Sequence, residues 1–287
     1  MDILIAGCGD VGTRLGLLLV AQGHRVWGIR RESAALPDQI RPLILDMARP
    51  FSLAEIPPPE LVFYTASAGG REEAAYRRAY LTAPAFLMQA LAALPRSPRR
   101  LFFTSSTGVY GQADGSWVDE QSPTCPKGFS GQIMLQAEAL FAAADVAATS
   151  VRFSGIYGPG RDWLLSAAFN GVSCPAVPPR YTNRIHVVDC AAVLAHLATL
   201  DRPDDIYLAS DNLPVPKHEV LAWLADRLGA AGLTCHSQAE PVEARMNKRC
   251  ANARLLATGF RFNYPDYQAG YGPLVETWAA DKREATT

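Results

Sequence analysis

The sequence predicts an α/β protein with a doubly wound parallel sheet and a smaller C-terminal lobe. In its first half, short apolar segments alternate with longer amphipathic ones, which is the order of strands and helices in such a sheet. The strand-like segments are almost wholly apolar, as strands covered by helices on both faces must be. Beyond Phe153 this alternation gives way to Gly/Pro-rich stretches, and the change indicates the second lobe.

The first half contains six predicted strands and three predicted helices. The strands are residues 3–6, 25–29, 42–45, 61–65, 101–104 and 150–153. The helices are residues 11–22, 72–94 and 130–142, the second of them long and continuous. This order predicts right-handed crossovers between neighbouring parallel strands.

The second half is less regular. We predict helices over residues 189–200 and 218–228, a strand over 206–209, a loop over 155–162 and an irregular stretch over 171–179. Residues 281–287 should fray. We therefore expect a first domain over residues 1–155 and a second lobe over 156–287, from which strands could return to the main sheet.

Composition excludes several classes of protein. Of the 287 residues, 49% are hydrophobic and 19% charged, which is globular and not disordered. Lys and Arg number 27 against 28 Asp and Glu, so we expect no nucleic-acid partner. The longest aliphatic run, residues 15–21, is too short to span a membrane. The six cysteines form no CxxC pair, so we predict no metal site and a cytoplasmic protein with reduced thiols.

A glycine-rich turn follows the first strand directly and opens the first helix. It comprises Gly7, Cys8, Gly9, Asp10, Val11 and Gly12, a G-x-G-x-x-G pattern. Gly7 permits the tight turn, Gly9 lets the backbone approach a pyrophosphate, and Gly12 lets the helix pack close to the strand. The N–H groups and positive end of the helix then bind phosphate. We assign the turn to cofactor binding, with Cys8 as a small filler; a turn without a ligand is the alternative.

The end of the second strand selects between the two nicotinamide dinucleotides. An acidic residue there binds the ribose 2′-hydroxyl of NAD, whereas an arginine favours the 2′-phosphate of NADP. Arg30 and Arg31 occupy this place, and two guanidiniums suit a phosphate dianion. Glu32 is the competing acidic candidate. The sequence therefore favours NADP, with NAD as the alternative.

Two later strand ends supply weaker candidates for the same site. Asp46 ends the third strand, where a carboxylate can accept from an adenine amino group, although it could equally be a turn residue. Ala66 and Ser67 follow the fourth strand, beside the cofactor ribose in this topology.

Four further segments identify a family. Residues 104–111 read TSSTGVYG, residues 152–161 RFSGIYGPGR, residues 183–189 NRIHVVD and residues 252–260 NARLLATGF. With the glycine turn, they resemble in order and spacing the extended short-chain dehydrogenase/reductases, also called the NAD-dependent epimerase/dehydratase family, over nearly the whole chain. The resemblance implies a Rossmann-type sheet of about seven strands. It also implies a small C-terminal substrate lobe and a bound nicotinamide cofactor.

The resemblance also implies roles for individual residues. Many relatives act on nucleotide-linked sugars, so a small-molecule substrate is implied, and relatives often form homodimers through helices beside the 72–94 stretch. In such relatives Ser106 would hydrogen-bond the substrate hydroxyl or carbonyl. The segment from Arg152 to Ile156 would pass beside the nicotinamide, and Phe153, Ser154 and Gly155 are the cofactor-binding residues implied within it. Those implied to face the substrate are Arg161, Arg184 and His186.

One part of the family pattern is missing. The family's chemistry rests on a Tyr and a Lys four residues apart on one helical face. The lysine lowers the tyrosine pKa, so the phenol can exchange a proton with substrate near neutral pH. Aligned on Glu138, these positions hold Ser130 and Met134, and a shift of one gives Phe129 and Ile133. No tyrosine lies in residues 111–156, so the chain resembles an atypical member.

Three accounts of the missing pair remain open. Another group, such as Lys127, Tyr157 or His186, could act in a relocated role. Alternatively, Ser106 and a water could polarise the substrate without a tyrosinate. In the third account, the protein binds NADP(H) without turning it over and acts as a sensor or scaffold. Each residue also has a structural alternative: Ser106 could bond the backbone, and Tyr157 and His186 could be packing residues.

Overall fold

The first half of the chain forms the strands and helices that its alternation predicts. The computed structural model describes residues 1–31, 36–172, 174–230, 235–237 and 246–284. In chain order the elements are β1 (Asp2–Ala6), α1 (Asp10–Ala21), β2 (Arg25–Arg30), β3 (Arg41–Ile44), β4 (Leu61–Tyr64), α2 (Glu73–Arg77), α3 (Ala83–Ala92), β5 (Arg100–Ser106), β6 (Ser116–Val118), α4 (Phe129–Ala142) and β7 (Ala148–Phe153).

The second half contains more short strands than its sequence predicts. Its elements are β8 (Gly155–Tyr157), α5 (Trp163–Phe169), β9 (Cys174–Val177), β10 (Tyr181–Thr182), β11 (Arg184–His186), α6 (Val187–Thr199), β12 (Ile206–Ala209), β13 (Val215–Pro216), α7 (Lys217–Leu228), β14 (Cys235–Ser237), β15 (Lys248–Cys250), α8 (Ala253–Ala257) and α9 (Tyr267–Glu284). The prediction of loop over 155–162 and of irregular chain over 171–179 is wrong where β8 and β9 form. Both strands pair with distant segments, β11 and β14, so the local Gly and Pro content did not reveal them.

The central sheet has seven strands in the order β12-β7-β5-β4-β1-β2-β3. It is parallel, which confirms the predicted doubly wound class. Strands β1 and β4 are buried along their whole length, as a sheet covered on both faces requires. The chain runs outward from β1 through β2 to β3 and then returns to the other side of β1 as β4. This reversal makes a switch point between β1 and β4, where ligands of such sheets bind.

The predicted long helix over residues 72–94 is confirmed as a helical stretch without a gap over residues 73–92, but its middle is not α-helical. The structure has α2, then a π-helical turn over Arg78–Thr82, then α3. Pro84 lies in the first turn of α3. A proline has no N–H and its ring clashes with the carbonyl four residues earlier, so a regular α-helix cannot continue through this point. The π-helical turn accommodates the proline without ending the helix and displaces the helix register by one residue.

The chain divides into two compact units, each built from several segments. The first comprises Met1–Tyr110, Thr124–Arg152 and Cys190–Tyr207, and the second comprises Gly111–Pro123, Phe153–Asp189 and Leu208–Thr287. Strand β12 returns to the edge of the main sheet, as the sequence analysis allows. The linear boundary near residue 155 stays a prediction. The second unit has its own apolar core, which includes Tyr157, Leu165, Leu221, Leu224 and Trp278.

Candidate functional site

The glycine turn lies at the switch point of the central sheet. Gly7 has φ +90°, and a Cβ there would lie 2.4 Å from the Ala66 Cα, so only glycine fits. The Thr65 hydroxyl donates to the Gly7 carbonyl at 2.9 Å. These contacts hold the turn against the segment that follows β4. The predicted cofactor residues Ala66 and Ser67 therefore lie in the segment beside it.

The other two glycines differ in what surrounds them. A Cβ on Gly12 would lie 2.7 Å from the Thr65 hydroxyl and 3.0 Å from Ile5 Cγ2, so this glycine allows α1 to pack on the sheet. A Cβ on Gly9 would have only the Gly7 carbonyl within range, at 4.0 Å. Gly9 is the N-cap residue of α1, and no side chain forms a capping hydrogen bond there. The open face and the first-turn N–H groups, including that of Val11, fit a pyrophosphate.

Asp10 and Cys8 have partners within the turn and helix. The Asp10 carboxylate accepts from Arg14 Nε at 2.7 Å, along the exposed face of α1. Cys8 is buried, and a Cβ on Gly28 would lie 2.9 Å from its sulfur. Burial raises the pKa of the Cys8 thiol, so it stays protonated at neutral pH. This environment supports the interpretation of Cys8 as a filler.

The two predicted selector arginines extend from the end of β2. Arg30 pairs with Ile44 of β3 and is half-buried. Its charge is close enough to Cys8 to oppose, in part, the effect of burial on the thiol pKa. Arg31 is exposed, and its Nη2 lies 3.8 Å from where a Cβ on Gly69 would be. Glu32, the competing acidic candidate, lies outside the described residues.

Asp46 is already bound by groups of the protein. Its Oδ1 accepts from the Ala48 N–H at 3.0 Å, and its Oδ2 lies 2.5 Å from Arg78 Nη2 and 4.0 Å from Arg49 Nε. The Ala48 N–H and the Arg78 charge hold the pKa of the Asp46 carboxyl below its usual value. Asp46 is therefore an ionised carboxylate with a turn bond and an arginine partner.

Ser106 ends β5 and caps a 3₁₀ turn over Thr107–Val109. Its Oγ accepts from the Gly108 N–H at 3.0 Å. A Cβ on Gly131 of α4 would lie 2.5 Å from the Gly108 carbonyl, so the helix packs directly on this turn. The sequence analysis gives a hydrogen bond to the backbone as the alternative to a substrate role for Ser106, and the bond to Gly108 is of that kind. This bond occupies one acceptor site of the hydroxyl and does not use its proton.

Helix α4 carries Ser130 and Met134, the residues that the sequence analysis aligns with the family's Tyr and Lys. Ser130 is half-buried in the first turn, and Met134 is 5% exposed one turn later. Lys127 is exposed ahead of the helix. The ionisable residue on the buried face of α4 is Glu138, two turns beyond Ser130.

Sequence reasoning missed a buried polar network in the first unit. Glu138 receives two contacts from Arg152 of β7 and one from the Ser105 hydroxyl at 2.5 Å. Arg152 Nη1 also donates to the Tyr110 hydroxyl at 2.9 Å. All four residues are buried. Ser105, Tyr110 and Arg152 lie inside the sequence motifs that carry the resemblance to the family. Their place in those motifs was the signal by which the sequence could have indicated the network.

The residues implied beside the nicotinamide lie at the end of β7 and the start of β8. Phe153 and Ser154 are buried, and Gly155 is the first residue of β8. The Ser154 N–H donates to the Ala209 carbonyl at 3.0 Å. The Ser154 Oγ is buried without a hydrogen-bond partner among the described residues.

Arg184 lies in the interior of the second unit. Its Nη2 donates to the Thr182 hydroxyl at 2.6 Å, and its guanidinium lies 5.5 Å from the centre of the Tyr267 ring. Its Nη1 and the Oδ2 of fully buried Asp211 have no hydrogen-bond partner in the described part of the chain. Burial raises the pKa of the Asp211 carboxyl to about 7, and the Arg184 charge opposes this shift.

His186 is also buried in the second unit. Its ring packs on Tyr264, with centroids 3.9 Å apart, and meets the edge of Tyr157 at 5.2 Å. Its Nδ1 accepts from the Val188 N–H at 3.3 Å. Tyr157 stacks on Tyr271 at 4.4 Å, and burial raises the pKa of its phenol far above the usual value. The predicted substrate residue Arg161 is half-buried in the loop that follows β8.

Two further features are absent from the described ranges. There, no group of three or more His, Cys, Asp or Glu side chains is arranged to hold a metal ion. None of the helices there is both long and apolar enough to cross a membrane.

The chain is similar to several proteins of known structure. One from Methylobacillus flagellatus, whose name places it among the NAD-dependent epimerase/dehydratases, is 42% identical, with a TM-score of 0.82 over 96% of this chain and 98% of the other. Human epimerase family protein SDR39U1, solved with NADPH, is 18% identical, with a TM-score of 0.76 over 96% and 99%. MoeE5, solved with UDP-glucose and NAD, is 23% identical, with a TM-score of 0.79 over all of both chains.

At these lower identities the last two structures show a shared fold only. The sequence profile of the NAD dependent epimerase/dehydratase family matches residues 3–207, which include the glycine turn, Ser106 and the predicted catalytic positions of α4. The chain belongs to the NAD-dependent epimerase/dehydratase family.

Proposed function

We propose that this protein binds NADPH in preference to NADH and uses it as an oxidoreductase or epimerase-like enzyme on a carbonyl or hydroxyl substrate. The observation that supports this most directly is the glycine turn at the switch point. The open face of Gly9 and the uncapped start of α1 offer backbone N–H groups to a pyrophosphate. Arg30 ends the adjacent strand β2, where the ribose substituent is recognised.

The proposed preference for NADPH rests on charge. Arg30 and Arg31 supply two guanidiniums at the carboxyl end of β2, and guanidiniums bind phosphate through paired, charge-assisted hydrogen bonds. The human relative of the same fold was solved with NADPH, and MoeE5 was solved with NAD. The fold therefore accepts either dinucleotide, and the arginines are the reason to choose NADPH for this chain.

The substrate class follows from the chemistry that the nicotinamide supplies, which is hydride transfer to or from carbon. Ser106 then binds the substrate oxygen, because its Oγ accepts from Gly108 and keeps a proton to donate. A nucleotide-linked sugar is one candidate, since MoeE5 was solved with UDP-glucose.

In this proposal, the group that donates or accepts the proton is not the tyrosine that the family uses. Tyr157 is a poor choice, because burial raises the pKa of its phenol far above neutral pH. His186 is buried between two aromatic rings with Nδ1 already bonded to the backbone. Ser106 acting with a water is therefore the preferred account, and Lys127 is the remaining alternative.

A second function has its own support. Met134 is buried where the family places its lysine, and a thioether replaces neither the charge nor the hydrogen bonds of an ammonium. The protein would then hold NADP(H) as a sensor or scaffold without turnover. Hydride transfer to any substrate would exclude this function.

The first experiment is a titration of nucleotide-stripped protein with NADPH and with NADH, followed by nicotinamide fluorescence. We expect a lower Kd for NADPH, and an equal or lower Kd for NADH would contradict the arginine argument. A carbonyl panel with NADPH then compares the wild type with Ser106→Ala. We expect the variant to lose turnover with an unchanged Kd for NADPH, and equal activity would remove Ser106 from the site.

A further inference from the structure

We propose that the buried ion pair of Glu138 and Arg152 holds the Ser106 hydroxyl in position to bind a substrate oxygen. The pair acts through the hydroxyls of Ser105 and Tyr110, which lie on either side of Ser106 in the sequence. In the proposed function Ser106 touches the substrate, and the other four residues are positioning residues. The inference rests on that function and adds the groups that orient its donor. All five residues belong to the first unit.

The two serines at the end of β5 differ in burial and in partner. Successive side chains of a strand point to opposite faces of the sheet. Ser105 is 5% exposed, and its hydroxyl donates to Glu138 Oε1 at 2.5 Å, whereas Ser106 is half-buried. The bond from Ser105 therefore fixes the backbone directly ahead of Ser106 without using the Ser106 hydroxyl.

The far end of the 3₁₀ turn is attached to the same ion pair. The Tyr110 N–H donates to the Thr107 carbonyl at 3.3 Å and closes the turn. The Tyr110 hydroxyl accepts from Arg152 Nη1 at 2.9 Å, and its ring centre lies 5.1 Å from the guanidinium. Because the guanidinium is bound in turn to both oxygens of Glu138, one rigid pair anchors the chain before and after the turn.

The middle of the turn holds the Ser106 side chain itself. The Gly108 N–H donates to Ser106 Oγ at 3.0 Å. The Gly108 carbonyl is backed by α4, since a Cβ on Gly131 would lie 2.5 Å from it, and the same helix carries Glu138. A serine side chain has three staggered rotamers, and the bond from Gly108 selects one of them for Ser106. A displaced turn would break this bond and release the side chain to the other rotamers.

Two single-hydroxyl deletions test the anchors and keep the ion pair itself. Tyr110→Phe and Ser105→Ala each leave a buried group with one hydrogen bond fewer, so both should lower the Tm. Tyr207→Phe is a matched control. Tyr207 is 2% exposed and its hydroxyl accepts from the Asp204 N–H at 3.0 Å, but it lies on β12, which β7 separates from β5.

The first measurement is amide hydrogen exchange of the Gly108 N–H by NMR in the full chain without ligand. Tyr110→Phe and Ser105→Ala should each raise its exchange rate about tenfold, the equivalent of one net hydrogen bond. Tyr207→Phe should lose a similar Tm and keep the wild-type rate at Gly108. In Ser106→Ala the N–H has lost its acceptor, so adding Tyr110→Phe should raise the rate no further. A wild-type rate in both anchor variants would overturn the inference.

The second measurement is turnover of a carbonyl panel with NADPH. In both anchor variants kcat should fall about tenfold, with a smaller change in substrate KM, because a displaced donor weakens the transition state. The Kd for NADPH should not change, and Tyr207→Phe should keep the wild-type kcat. A wild-type kcat in Tyr110→Phe and Ser105→Ala would overturn the inference and leave the proposed function standing. A wild type that transfers no hydride would refute the proposed function, and the Gly108 exchange rates would still decide whether the pair holds Ser106.

Discussion

The guanidinium of Arg152 and the carboxylate of Glu138 form a buried pair with two contacts, Nε to Oε1 at 2.9 Å and Nη2 to Oε2 at 2.7 Å. The pair connects β7 to α4, and its hydrogen bonds are completed by Ser105 of β5 and by Tyr110, which follows the 3₁₀ turn after that strand. Burying two charges is costly, and good geometry with additional hydrogen bonds offsets the cost. The pair thus fixes α4 against the sheet, and with it the positions of Ser130 and Met134.

The first prediction concerns this pair. Glu138→Gln leaves the Arg152 guanidinium buried without its counter-charge, and we expect the free energy of unfolding to fall by about 3–5 kcal/mol. Urea denaturation followed by circular dichroism measures this change. Glu73→Gln breaks the exposed pair with Arg77 and should cost less than about 1 kcal/mol. If the two variants lost similar free energies of unfolding, the buried pair would contribute no more to stability than the exposed pair does.

The second prediction separates the two roles of glycine in the turn. Gly7→Ala places a Cβ 2.4 Å from Ala66 at φ +90°, so we expect a loss of stability greater than about 1 kcal/mol. Gly9→Ala meets no close neighbour and should keep the wild-type Tm. Its methyl group would lie where the pyrophosphate approaches, so the Kd for NADPH should rise about tenfold or more.

Thermal melting and NADPH fluorescence check both variants. A Gly9→Ala protein with wild-type affinity would show that the cofactor does not approach the backbone at this turn.

Much of the main sheet could be predicted because its strands are marked by continuous apolar runs. Residues 3–6 and 61–65 became β1 and β4, the wholly buried strands beside the switch point. The long helix over residues 72–94 was predicted but its π-helical turn at Arg78–Thr82 was not, although Pro84, which disfavours a regular α-helix over the preceding turn, stands in the sequence. The strands of the second unit are two to four residues long and pair across long separations, so no local pattern identifies them.

For the candidate site, sequence reasoning identified positions but not partners. It placed Gly7, Arg30 and Asp46 at neighbouring strand ends, which parallel topology requires. It could not reveal that Arg78 engages Asp46, because the two residues are 32 positions apart and belong to different elements. Nor could it reveal that Arg152 pairs with Glu138, since a side-chain pair between β7 and α4 leaves no periodic signal.

The third prediction is a pH dependence of stability due to Asp211. Burial raises the pKa of this carboxyl from 3.8 to about 7 in the folded protein, so the folded state retains a proton that the unfolded state releases. The contribution to stability is complete below pH 3.8 and is lost as the pH rises towards about 7, by at most about 1.4 kcal/mol per pH unit.

Asp211→Asn mimics the protonated form and should remove this slope. Denaturant titrations at several pH values between about 4 and 8 measure it. Asp226→Asn, an exposed carboxylate on α7, should keep the wild-type slope. If Asp211→Asn kept the wild-type change in free energy of unfolding with pH, Asp211 would be ionised over the whole pH range of the titration.

The last prediction concerns a variant with a Tyr and a Lys at the two positions of α4 that the sequence analysis aligns with the family's pair. Ser130 is half-buried, whereas Met134 is only 5% exposed. Met134→Lys alone therefore buries an ammonium and should lower the Tm. In the double variant Ser130→Tyr with Met134→Lys, the two groups lie one turn apart on α4, where the lysine can lower the tyrosine pKa.

General acid–base catalysis of this kind contributes about 10²–10⁴ in rate. We therefore expect the double variant to transfer hydride from NADPH at least about tenfold faster than the wild type on a carbonyl panel. Ser130→Tyr alone is the control and should give no gain, because its phenol lacks the neighbouring cation. A double variant that binds NADPH normally, but is no faster than the wild type, would mean that the chain has lost more of the family's chemistry than these two side chains.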